Sequence, residues 1–135
     1  MPQSLSEFHK NETAWSPHPI PAIMVDFPDS QAGEILTVAY LDQAGRLAHI
    51  ISHTDKKSDA VSLSIRTIVH EALIRGHDRF LLLHNHPSGN PQPSQADIIA
   101  TRLMCRIAAP LGLELVDHLI LAPHACFSFR TAGLI

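Results

Sequence analysis

The segment from Arg79 to Asp97 constrains this chain more than any other. Arg79-Phe80-Leu81-Leu82-Leu83 is a short, mostly apolar run closed by Pro87, Gly89 and Pro91, the pattern of a buried strand running into a loop. Residues two apart on a strand face the same way. His84 and His86 would therefore project together from the C-terminal end of that strand, with Asn85 pointing away. Pro87-Ser88-Gly89-Asn90-Pro91-Gln92-Pro93 can neither extend the strand nor start a helix early. Ser94 is a good N-cap and Asp97 follows at the third helical position, so a helix is expected to begin here.

Taken together these residues read H-x-H-x7-S-x-x-D. Positions i and i+3 share a helix face, so Ser94 and Asp97 meet whatever lies before that helix end. If the loop folds back, Asp97 joins His84 and His86. Two imidazoles and one carboxylate suit zinc, and a catalytic zinc site uses three protein ligands with one position left open. Either half alone says less. Ser-x-x-Asp is a common capping arrangement, with aspartate favoured near the positive end of the helix dipole. The two roles coexist, because a hydroxyl has one donor and two acceptor sites and Ser94 can cap and still donate.

At these residues the chain resembles the JAMM/MPN metalloprotease superfamily, whose signature is a distant glutamate plus H-x-H-x7-S-x-x-D, and more narrowly the RadC-like JAB domain. The central block, His84 to Pro91, Pro93 to Ile98 and Thr101, is similar to that family. So are Leu115-Val116-Asp117-His118-Leu119-Ile120, Ser128-Phe129 and Gly133-Leu134, and Glu34 to Asp42 resembles its first strand. The resemblance implies an α/β fold of the cytidine-deaminase-like kind, a single-domain mixed β-sheet flanked by helices. It implies His84, His86 and Asp97 as zinc ligands, Glu34 as general base and Ser94 as the donor to a developing oxyanion. The chain departs from the family between residues 51 and 67. Ile51-Ser52 and Lys56-Lys57 replace an acidic residue followed by Gly-Thr, and Ile65-Arg66-Thr67 replaces Pro-Arg-Glu.

The function this resemblance implies is hydrolysis of an amide or isopeptide bond in a peptide or protein, with a ubiquitin-like protein as one candidate substrate. The alternative is a non-catalytic zinc-binding interaction module, which the resemblance to RadC-like proteins would link to DNA repair. Two histidines and a carboxylate can also form an iron(II) facial triad, but nothing here suggests the 2-oxoacid pocket such chemistry needs. A zinc deaminase is disfavoured, since no His-x-Glu with Pro-Cys-x-x-Cys is present.

Composition narrows the class further. The chain has 135 residues, of which 45% are hydrophobic, enough for one core without staples. Cys105 and Cys126 match no zinc-ribbon or disulfide-scaffold spacing, so reduced thiols in a cytoplasmic protein are expected. No apolar run approaches the roughly 20 residues that span a bilayer, and Met1-Pro2-Gln3-Ser4 does not open a secretory signal. Net charge is −3 and no basic stripe is present, which argues against nucleic acid.

Residues 1–33 carry five prolines (Pro2, Pro17, Pro19, Pro21, Pro28) and read as a tail or wrapping segment, with 21–25 as a short extended piece. The domain proper is expected over 34–135. A strand over 34–42, a turn at Asp42-Gln43-Ala44-Gly45 and a strand over 46–53 make a hairpin. Apolar residues at 65, 68, 69, 72 and 73 predict a helix stopped by Gly76. The helix from Ser94 is expected to turn Ile98, Ile99, Leu103 and Ile107 inward and to end at Pro110 and Gly112. Strands are expected over 113–116, 118–122 and 125–129. Among the remaining histidines, His9 and His18 read as solvated, His49, His53 and His70 as surface residues, and His77 as part of a loop. Asp117-His118 reads as structural support, either through a backbone bond of the histidine or through the aspartate backing a metal ligand. His124 and Cys126 could in principle hold a second metal.

Overall fold

The hairpin is built by its turn. Asp42 Oδ1 accepts from the backbone N–H of Ala44 (2.9 Å) and Arg46 (2.8 Å). Gly45 takes φ 78°, a left-handed conformation that costs glycine little. The turn joins β1 (Ile35–Leu41) to β2 (Leu47–Thr54) in antiparallel pairing. The computed structural model describes residues 34–54, 64–86, 88–123 and 125–135. The expectations for the 1–33 segment, for Lys56-Lys57, for the Pro87 loop position and for His124 lie outside the described residues.

Helix α1 (Ile65–Arg75) starts and stops where its caps dictate. The Ser64 side chain accepts from the Thr67 N–H, and Gly76 closes the helix at φ 72°. Ile68, Val69 and Ala72 are buried, whereas Leu73, expected inward, is 52% exposed. Strand β3 (Arg79–Asn85) and helix α2 (Gln95–Ala108) follow, and Ala109–Leu111 tightens into a 3-10 turn before Gly112. Strands β4 (Glu114–Ala122) and β5 (Ala125–Ser128) complete the chain.

These strands form one mixed sheet in the order β2-β1-β3-β4-β5. β1 runs antiparallel to both neighbours, β3 and β4 are parallel, and β5 returns antiparallel to β4. With the two α-helices among the described residues this is the mixed α/β architecture expected. β1 is buried along its whole length because it lies inside the sheet. Leu36, Val38, Tyr40, Phe80, Leu82 and Leu115 meet α1 and the Met104 and Ala108 side chains of α2 on one face. Ala39, Leu41, Leu81, Leu83, Leu119 and Leu121 cluster on the other.

Two further expectations about the fold are corrected. Helix α2 buries Thr101, Met104 and Ala108, while Ile99 (60% exposed), Leu103 and Ile107 face outward. Asp97, Thr101, Met104 and Ala108 follow helical spacing, so the helix is rotated to bring its polar residues to the site at one end. The expected break between residues 116 and 118 is instead a continuous β4 with a one-residue register shift. Phe80 pairs with Leu115 and Leu81 with Asp117, leaving Val116 as the extra residue. Such a bulge re-aims the side chains beyond it. It puts His118, rather than Asp117, on the face that carries Leu115 and His84. No described helix is long and apolar enough to cross a membrane.

Candidate metal centre

The end of β3 presents both histidines, as alternation requires. His84 is buried, opposite Leu36 of β1 and Ile120 of β4, and its ring lies 4.7 Å from that of His86 in an edge-on arrangement. His84 Nε2 is 3.3 Å from Glu34 Oε2, and its Nδ1 is 3.8 Å from Asp97 Oδ1. His86 Nε2 is 3.7 Å from Asp97 Oδ2. The loop has therefore folded back, and two carboxylates bracket two imidazoles.

Each member is held by a separate device. His86 Nδ1 lies 2.9 Å from the Asn90 carbonyl oxygen. A carbonyl only accepts, so Nδ1 carries a proton, and Nε2 is the nitrogen that faces Asp97. A backbone carbonyl behind the ring is the usual support of a metal-ligating histidine. Asp97 belongs to a full capping box: its N–H donates to Ser94 Oγ (3.0 Å) and its Oδ2 accepts from the Ser94 N–H (2.8 Å). Glu34 precedes β1 on the face shared with Leu36, which brings it to His84. The neighbouring Ile35 N–H donates to the Asn85 side-chain oxygen, which extends the β1–β3 ladder past its last backbone pair.

Burial pushes the His84 imidazole below its ordinary value, and His86 adds to this while Asp97 and Glu34 oppose it. A neutral imidazole is the form that binds a metal. The donor chemistry fits a divalent cation: two imidazoles, with Glu34 at Nε2 of His84 and Asp97 at its Nδ1. The tightest trio is Glu34, His84 and His86, whose ligand atoms lie within 4.8 Å of one another, and Asp97 closes the group from the helix side. Ser94 is exposed, and its hydroxyl makes no hydrogen bond besides the cap among the described residues.

Three residues around the centre were less visible. Asn85 does face away from the histidines, yet it is buried and anchors the residue after Glu34. Thr101 stands one helical turn after Asp97, and its hydroxyl donates to the Asp97 carbonyl (2.6 Å). His118 is bonded through its ring to Thr101 rather than to backbone, and burial, with His84 beside it, pushes its pKa down to about 3. Asp117 does not back a metal ligand. Its carboxylate accepts from Ser128 Oγ (2.6 Å) and from the N–H of His118 and Arg130 on the opposite face. His49 is also corrected from a surface residue. It is half-buried against Tyr40, with Nε2 3.8 Å from Glu71. An open groove of about 620 Å³ at the far end of α2, lined by Arg106, Leu113, Arg130 and Ile135 among others, includes none of the four bracketing residues.

The family model described as the RadC-like JAB domain matches residues 16–134. A UPF0758 protein of Rhodobacter capsulatus is 38% identical over 102 residues, which cover 76% of this chain and 48% of that protein. A UPF0758 protein of Porphyromonas gingivalis is 32% identical over 117 residues, covering 86% and 50%. The chain spans about half the length of these curated relatives.

Proposed function

Because this chain belongs to the RadC-like JAB domain family, we propose that it is a zinc-dependent hydrolase that cleaves an amide or isopeptide bond in a peptide or protein substrate, a ubiquitin-like protein being one candidate. The observation that carries this reading is the gathering of Glu34 and Asp97 about His84 and His86, with burial favouring the neutral His84 imidazole. His84, His86 and Asp97 would hold the metal. When bound, zinc supplies Lewis acidity, lowering the pKa of water from about 15.7 to about 7 and polarising a carbonyl.

The chain's own residues do the rest. The Glu34 carboxylate takes the proton of the attacking water and returns it to the leaving amine, a role worth about 10²–10⁴-fold. The Ser94 hydroxyl keeps its hydrogen for the oxygen on which charge develops, while its lone pairs serve the cap. Loss of one such donor costs about 10²–10³ in rate. Cys105 and Cys126 have no part, and no covalent intermediate forms.

The test is elemental analysis of freshly purified protein beside His84→Ala, with turnover measured on a panel of fluorogenic peptides and ubiquitin-like fusions. Zinc in the wild type, lost in His84→Ala, together with turnover of at least one substrate, is expected. Zinc without turnover of any substrate would convert the reading to a binding module. Iron in place of zinc would point to oxygen chemistry.

A further inference from the structure

His118 has no part in the reaction above, yet it is a buried polar residue beside the centre. Its ring stacks on Phe129 at 4.5 Å and 5°, and its other side looks toward His84, 6.1 Å away. Nδ1 lies 2.8 Å from Thr101 Oγ1, which in turn lies 2.6 Å from the Asp97 carbonyl oxygen. The carbonyl can only accept, so the single hydroxyl hydrogen of Thr101 goes to Asp97. The bond between Thr101 and His118 must then be made by an imidazole Nδ1–H. Nε2 is left as a lone pair, and it has no hydrogen-bond partner among the described residues.

We propose that His118 is a positioning residue for the metal centre. Through its Nδ1–H and the Thr101 hydroxyl it fixes the first turn of α2, and with it the point at which Asp97 meets His84 and His86. The need is physical. Helix ends open at low cost, and among the described residues the Asp97 carboxylate and N–H make their hydrogen bonds to Ser94, an exposed residue in the same turn. The relay ties that turn to β4, in the parallel pair at the heart of the sheet. The register shift at Val116 is what turns His118 toward α2 at all. Phe129 closes the opposite side of the ring, so the imidazole cannot swing away without unstacking.

The inference rests on the reading of Asp97 as a ligand, and its test separates the two. Zinc affinity, measured by competition with a chelator, is compared among His118→Gln, His118→Asn, Thr101→Val and Thr101→Ser, with circular dichroism reporting folding. The asparagine amide nitrogen falls near the position of Nδ1 and the glutamine amide near Nε2. His118→Gln and Thr101→Val should therefore weaken zinc binding about 10- to 100-fold, while His118→Asn and Thr101→Ser stay within about threefold. In parallel, long-range proton–nitrogen spectra of the metal-free wild type should show His118 protonated at Nδ1, which requires no variant to fold. An Nε2–H tautomer, or four variants binding zinc as the wild type does, would overturn the relay alone. A wild-type chain that takes up no zinc would overturn the metal reading and the relay with it.

Discussion

Glu34 Oε2 stands 3.3 Å from His84 Nε2, across the pair of neighbouring strands that brings two distant parts of the chain together. Glu34→Gln keeps the size of the side chain and removes the proton acceptor. Hydrolysis should fall about 10²–10⁴-fold while zinc stays at about one per chain. Metal analysis beside a peptide assay reads both. Zinc lost along with activity would make Glu34 a ligand, a result its place in the tight trio with His84 and His86 makes worth measuring.

Ser94 has two roles that one substitution can separate. Glycine is a tolerable N-cap and costs only a few tenths of a kcal/mol there, about 0.3 kcal/mol. Ser94→Gly should thus melt nearly where the wild type does and lose about 10²–10³ in rate. A rate unchanged from the wild type would leave Ser94 as a cap alone.

Asn85 accepts the Ile35 N–H at the point where β1 outruns its backbone pairing with β3. Asn85→Ala strands a buried donor, so urea unfolding should show a loss of about 1–3 kcal/mol. Glu34 is adjacent to the released residue, and activity should fall further than the stability loss explains. Full activity and full stability in this variant would remove Asn85 from the support of Glu34.

Tyr40 sets an alkaline limit. Its hydroxyl donates to the Ile68 carbonyl (2.8 Å), and burial, with Glu71 adding to it, raises its pKa above the ordinary value of 10.0. A folded-state value above the unfolded one means that the neutral phenol is favoured by folding. That contribution is complete below the unfolded value and is lost as pH rises toward the folded one, by at most about 1.4 kcal/mol per pH unit. Tyr40→Phe should cost about 0.5–1.5 kcal/mol at neutral pH and flatten the decline between about pH 10 and 11. Denaturant titrations at several pH values give both readings, and an equally steep decline in the variant would assign the alkaline loss to another group.

Much of what depends on contacts a few residues apart was legible in the sequence. The Asp42–Gly45 turn, the Ser94 cap, the Gly76 stop and the shared face of His84 and His86 all follow from local hydrogen bonding and from the periods of strand and helix. Contacts between distant parts of the chain were decided by the sheet. Strand order and register brought Glu34 to His84, and the register shift at Val116 turned His118 rather than Asp117 toward Thr101. The face of α2 was also a tertiary choice. Ile99, Leu103 and Ile107 offer a plausible apolar stripe, but the helix buries Thr101, Met104 and Ala108 because Asp97 must reach the histidines at its start. Hydrophobic periodicity alone cannot choose between two such stripes about one residue apart on the helix, whereas the positions of His84 and His86 at the end of β3 can.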